Sequence, residues 1–291
     1  MSWFALRDRK GRAIVGWPLL FSVDTSIAIN RRARCVEPDL VLPKAIYAGT
    51  YFPIFGHFLT ETTPNLAAVA DYARSNPDIP ILMHLGPDMS GDGLKAPSLK
   101  PWAAWFHEKV GIEFNRLRFI TAPMRIRELH VPPSPLRRKH RYLDRATVAL
   151  DRLFSAPAGS DELIYFSRSR WPKPRLAGEA EIERRLADRG YAIVHPQELT
   201  LDEQLSVIRG ARSLVGAQGT ALHWSLYSTK LQQVVSLGWP SGLQKGICLV
   251  RGQSYLELRG RRPKDTGLRV REVSVDRLET YLDQAAVEIF S

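Results

Sequence analysis

The second half of the chain alternates four short apolar runs with three amphipathic stretches, and this pattern leaves little choice of fold. Glu162 to Ser167, Tyr191 to Val194, Ser213 to Val215 and Leu231 to Leu237 read as buried strands bounded by turn-forming residues. Between them, Glu179 to Asp188 keeps Ile182 and Leu186 on one helical face and is closed by Gly190. Leu201, Leu205 and Ile208 mark a second helix, and Thr220 to Tyr227 a third. A strand–helix alternation of this kind buries its strands on both faces and predicts a doubly wound parallel sheet.

The first half carries the same kind of element less regularly. Strands are expected from Val41 to Tyr47, Ile79 to Leu85, Arg118 to Thr121 and Arg127 to Val131. Pro64 to Ala73 has helical spacing, with Thr63 expected as the N-cap and Pro64 in the first turn. Leu143, Ala146, Leu150, Leu153 and Phe154 form one apolar helical face beyond the prolines at 132, 133 and 135. The chain's 291 residues exceed what one core comfortably organises. The small, turn-forming run Ser155 to Ser160 is the expected linker, giving an N-terminal α/β domain over 1–155 and a second Rossmann-like domain over 156–291. The last helix, with Leu278, Tyr281, Leu282, Ala285 and Ile289 inward, could close either domain.

With 44% hydrophobic and 24% charged residues, the chain has enough apolar surface to fold and is not disordered. Cys35 and Cys248 are the only cysteines, which excludes a disulfide scaffold and a cysteine-rich zinc site and fits a reducing compartment. The net charge of +11 is carried mostly by arginine and suits phosphorylated ligands, nucleic acid or an anionic membrane surface. No nucleic-acid-binding motif is present, so nucleic acid is not an expected partner. Arg7, Arg9, Lys10 and Arg12 precede the apolar run Ala13 to Phe21, but Gly16 and Pro18 interrupt it, and a pair of short strands is expected rather than a signal peptide. The expected location is cytoplasmic, with peripheral contact at the inner face of the membrane left open by the basic runs Arg137 to Arg141 and Arg259 to Arg262.

Three segments could carry chemistry. Gly216-Ala217-Gln218-Gly219-Thr220 follows a strand and opens a helix, where backbone N–H groups can meet an anion, although glycines also make such turns without a ligand. Ser167-Arg168-Ser169-Arg170 through Arg175 lies just after another strand and puts several cations on the same sheet rim, either as a diphosphate site or as a solvated loop. His57 and Glu61 are four apart, so a helical turn would bring them together as an imidazole oriented by a carboxylate, or simply as a surface pair.

Taken in order, His57-x-x-x-Glu61-x-x-Pro64, Phe166-Ser167-Arg168 with Arg175 and Glu179, Pro196 with Glu198-Leu199, Glu203-Gln204 and Gly216-x-x-Gly219-x-Ala221-Leu222 resemble glycosyltransferase family 61 over about residues 50 to 235. The chain departs from the family pattern at Asn65, Gly178, Gln218 and Trp224. The resemblance implies two Rossmann-like domains facing a cleft, the B-type glycosyltransferase fold. It implies an inverting hexosyl- or pentosyltransferase that uses a nucleotide sugar, with a UDP-sugar favoured and no required cofactor. The acceptor implied is a glycan or lipid-linked saccharide of bacterial capsular polysaccharide or lipopolysaccharide. The absence of an Asp-x-Asp pair in the sequence agrees with metal-independent transfer. Ser167, Arg168, Arg175, Gly216, Gln218, Gly219 and Thr220 match the donor side, and His57 with Glu61 the acceptor side, either of the two being the base. His195, His223 and Trp224 could line the site, whereas Glu198 and Glu203 read as helix-start residues. A non-catalytic protein that binds an anionic polymer or a nucleotide is the alternative.

Overall fold

The computed structural model describes residues 40–86, 98–122, 124–132, 136–137, 141–142, 144–263 and 270–290. The strand pair expected at 13–21, Cys35, Pro133, Pro135, residues 138–140 of the basic run and Leu143 lie outside them. The chain divides into two compact units, Met1–Leu153 and Phe154–Ser291, and each contains a wholly parallel main sheet. The protein is α/β, as the sequence pattern requires.

In the first unit the central strand is β1 (Leu40–Tyr51). It leads into a continuous helical segment made of α1 (Phe55–His57), a π turn (Phe58–Thr62) and α2 (Thr63–Ser75). Then come β2 (Ile81–Leu85), α3 (Pro101–Val110), β3 (Leu117–Phe119), β4 (Met124–His130), the two-residue ladder β5 (Leu136–Arg137) with β6 (Arg141–Tyr142), and α4 (Asp144–Leu153). The sheet order is β3-β2-β1-β4, so the strand order reverses between β1 and β4, and ligands of open parallel sheets bind at such a reversal.

Two local departures shape the end of β1. Its register against β2 shifts between Tyr47 and Thr50, where Gly49 has φ 76°, a left-handed backbone that favours glycine. Thr63, expected to cap a helix, lies inside one, because the helical segment already begins at Phe55. Pro64 has no N–H for the preceding turn and its ring crowds the carbonyl four residues back, which accounts for the π turn just before it. Thr62 ties that turn to the strand by accepting from the Phe52 N–H at 2.9 Å.

The sequence pattern did not reveal α3, which starts at Pro101 and stops at Gly111 in the left-handed region, φ 71°. It carries Trp102 edge-to-face and Phe106 tilted against Phe55 and Phe58 in an aromatic cluster. The aromatic run around it gave no strand or helix period.

The second unit follows the expected alternation closely: β7 (Leu163–Phe166), β8 (Leu176–Ala177), α5 (Glu179–Ala187), β9 (Ala192–Val194), α6 (Leu201–Gly210) and β10 (Ser213–Ala217). Thr220–Tyr227 is a 3₁₀ helix. Beyond it lie β11 (Gln233–Gly238), α7 (Gly242–Arg251), β12 (Ser254–Arg259), β13 (Arg271–Glu272) and α8 (Val275–Phe290). The main sheet is ordered β12-β11-β10-β7-β9, and β13 pairs with β8. The order reverses between β7 and β10. Leu278 and Leu282 of α8 join Tyr165, Leu186 and Val215 in this unit's core, where the sequence had left open a return to the first.

The run expected to be the linker, and Phe154 just before it, pack within the second unit. Phe154 is fully buried against Tyr227, and the Gly159 N–H donates to the Ser206 carbonyl at 2.8 Å. A Cβ at Gly210 would lie 2.3 Å from the Gly159 carbonyl oxygen. Gly210→Ala is therefore expected to force the two backbones apart at a cost of about 1–3 kcal/mol, lowering the calorimetric melting point by several degrees. A wild-type melting point would show that the contact is not tight.

Candidate functional site

In the first unit, His57 and Glu61 follow the carboxyl end of β1. The single π turn brings His57 Nδ1 within 2.6 Å of Glu61 Oε1. Glu61 is only 4% exposed, while the His57 side chain is about two-fifths exposed, so the carboxylate lies behind a ring that reaches solvent. Burial pushes the Glu61 carboxyl above the usual range, and its hydrogen bond holds the His57 imidazolium above the usual histidine range. The ring also lies against Phe52, with centroids 5.3 Å apart. Nδ1 is held by Glu61, and Nε2 is the second ring nitrogen through which an imidazole can exchange a proton.

In the second unit the site forms where β7 and β10 end side by side, Gly216 standing opposite Phe166. A Cβ at Gly216 would lie 3.0 Å from the Phe166 carbonyl oxygen and 3.2 Å from Leu222 Cδ2, closer than a Cβ usually packs, so the two strand ends approach tightly here. Beyond β7, Glu179 Oε1 accepts from both the Tyr165 hydroxyl and the Arg168 N–H, each at 2.9 Å. That carboxylate is 5% exposed and burial raises its pKa, while its Oε2 has no hydrogen-bond partner.

The Arg168 guanidinium reaches across to the glycine turn, where a Cβ on Gly219 would be 3.2 Å from its Nη1. It also lies 5.8 Å from the Trp171 ring centroid. Burial and the nearby Arg175 charge hold its pKa below the usual arginine range, and its Nε is buried without a hydrogen-bond partner. Arg175 stands 5.6 Å from the Trp239 ring centroid. Neither arginine forms an ion pair with a described carboxylate. Thr220 opens the 3₁₀ helix behind Gly219, whose backbone is extended.

Two of the expected donor-side residues turn inward. Ser167 is fully buried, its hydroxyl bonded to Glu183, and Gln218 Oε1 accepts from the Ser236 hydroxyl at 2.7 Å while its N–H donates to the Leu237 carbonyl. Both fasten the loops that present Arg168 and Gly219. Among the described residues, no three His, Cys, Asp or Glu side chains cluster closely enough to hold a metal, and no helix is long and apolar enough to cross a membrane.

Residues 55–235 match the family described as glycosyltransferase 61. The chain belongs to glycosyltransferase family 61. No curated protein matches it. As a family member it is a glycosyltransferase, acting on a donor and an acceptor.

Other residues of this transferase are accounted for by packing. Trp224 lines nothing: it is fully buried and donates through Nε1 to Gln204 Oε1 at 2.7 Å. His223 bonds to Gln244 at 2.9 Å. Glu203 completes a capping box with Thr200, whereas Glu198 pairs with Arg170 at 2.9 Å instead of capping a helix. His195 lies in an open groove of about 700 Å³ with Ile193, Val194, Glu198 and Leu199. The sequence places Glu179 in the family pattern without assigning it a contact and passes over Glu183, since their partners on β7 meet them only once α5 is folded against it. Trp239 was also missed, having no sequence neighbour that signals it.

The His57–Glu61 geometry has a direct spectroscopic consequence. Following the His57 ring by NMR, Glu61→Gln is expected to lower its pKa, because the carboxylate that favours the imidazolium is gone while burial still disfavours it. An unchanged titration would mean that the pair does not form in solution.

Proposed function

We propose that this family 61 enzyme moves a sugar, with inversion and without a metal, from a nucleotide sugar to a glycan or lipid-linked saccharide acceptor. The observation that carries the proposal is the Arg168 guanidinium held against Gly219 at the strand-order reversal of the second unit, unpaired and beside Arg175. A departing nucleoside diphosphate is the chemical group that such a cluster fits: two phosphates, planar oxygen pairs and charge that grows as the glycosidic bond breaks.

The first unit supplies the base. His57 Nε2 accepts the proton of the acceptor hydroxyl as its oxygen attacks the anomeric carbon, and Glu61 steadies the imidazolium that forms. The bond between that carbon and the diphosphate oxygen breaks with its electron pair on oxygen. The second unit stabilises this charge through Arg168, Arg175 and the N–H groups of Gly219 and Thr220. Ser167, Gly216 and Gln218 hold those donors in position. The family resemblance favours a UDP-sugar carrying a hexose or pentose, and the biological setting proposed is bacterial surface polysaccharide synthesis, at the cytoplasmic face of the membrane.

His57→Ala should lower transfer by roughly 10²–10⁴-fold while leaving nucleoside diphosphate binding unchanged, measured by diphosphate release across a nucleotide-sugar panel and by calorimetry. Loss of donor binding in that variant would contradict the division of roles. The base must be neutral, so wild-type activity should fall as pH drops through the raised His57 pKa. Glu61→Gln should move this acidic limb to lower pH. If Glu61→Gln instead abolishes transfer at every pH, Glu61 is itself the base.

A further inference from the structure

A third arginine stands beside the two assigned above. Arg271 lies on β13, which pairs with β8 so that Arg271 stands opposite Leu176, and its N–H donates to the Arg175 carbonyl at 2.9 Å. Gly260 leaves room for it, and Gly238 lies alongside in a left-handed backbone. A Cβ on Gly260 would lie 2.7 Å from Arg271 Cβ, and one on Gly238, which has φ 104°, would lie 3.6 Å from the same atom. The Arg271 guanidinium is 5.4 Å from the Trp239 ring centroid, and that of Arg175 is 5.6 Å from it. One indole thus holds two arginines by cation–π contact.

Arg175 in turn acts electrostatically on Arg168. Arg168, Arg175 and Arg271 form a linked series at the carboxyl ends of β7, β10 and β11, and none has a carboxylate partner among the described residues. Like charges gathered in this way repel one another, and the Glu179 carboxylate offsets only part of the charge on Arg168. A polyanion that bridges the series would relieve the repulsion. A single phosphate engages one or two forks, whereas two linked phosphates offer enough oxygens for all three.

We infer that Arg271 is a further donor-binding residue, carried on the β8–β13 ladder and steadied by Trp239, whose fork engages the diphosphate together with Arg175. The inference rests on the donor-site reading above and extends it to the number of phosphates recognised.

The test compares wild type, Arg271→Gln and Arg271→Lys by calorimetric titration with UDP, GDP, CDP, dTDP and ADP and with the matching monophosphates, at one ionic strength. Wild type should bind one diphosphate more tightly than its monophosphate. Arg271→Gln should weaken the diphosphate by on the order of tenfold and leave the monophosphate nearly unchanged, with Arg271→Lys in between. The ligand-free melting point of Arg271→Gln should equal or exceed that of wild type, because repulsion is relieved. Equal losses for diphosphate and monophosphate, no loss for either, or a lower ligand-free melting point with an unchanged ratio would each overturn the role of Arg271 alone. If wild type binds no diphosphate, the donor-site reading falls and takes this inference with it.

Discussion

The buried carboxylate of Glu179 is the interaction on which the second unit's site depends. One oxygen accepts from the Tyr165 hydroxyl inside β7 and from the N–H of Arg168 just beyond it. The chain is thereby turned at the end of the strand, and the Arg168 side chain is aimed at the glycine turn after β10. A surface arginine would share its charge with water or a nearby carboxylate. Arg168 has a buried Nε without a hydrogen-bond partner and a second arginine close by, and the Glu179 carboxylate offsets only part of its charge. Such an arrangement costs free energy in the empty protein, and preorganised positive charge of this kind stabilises a developing anion most effectively.

The first unit arranges its polar pair by a different device. The bulge at Gly49 re-aims the end of β1, and Pro64 leaves the following helix one wider turn. The wider turn carries Glu61 into the interior and leaves His57 at the surface, hydrogen-bonded across four residues. Aromatic rings from α3 close around Phe58 and exclude water from one side of the turn. The pair is therefore more than an exposed ion pair, whose contribution would be small.

Much of this was legible in the sequence. Alternation of apolar and amphipathic runs foretold the parallel sheet of the second unit, and Gly190 ends its helix with φ 82° as expected. The spacing of His57 and Glu61 foretold their contact. What the sequence concealed has physical reasons. The period of α3 is masked by aromatics on several faces, because it packs on a ring cluster rather than on one aliphatic core. Thr63 looks like an N-cap because Pro64 follows it, yet a helix can continue through that proline by widening. Trp224 stands in the matched segment but points into the core, which only its burial and its bond to Gln204 reveal. Arg271 lies 96 residues after Arg175 in the sequence, and only the β8–β13 ladder brings the two together.

The central claim is that fixed arginines at the reversal of strand order bind a nucleoside diphosphate without a metal. Its most direct test is calorimetric titration of wild type and Arg168→Ala with the five nucleoside diphosphates in the presence of EDTA. One nucleotide class should bind wild type, and Arg168→Ala should bind it on the order of 10²-fold more weakly. Binding that vanishes in EDTA, or that is indifferent to the loss of Arg168, would contradict it.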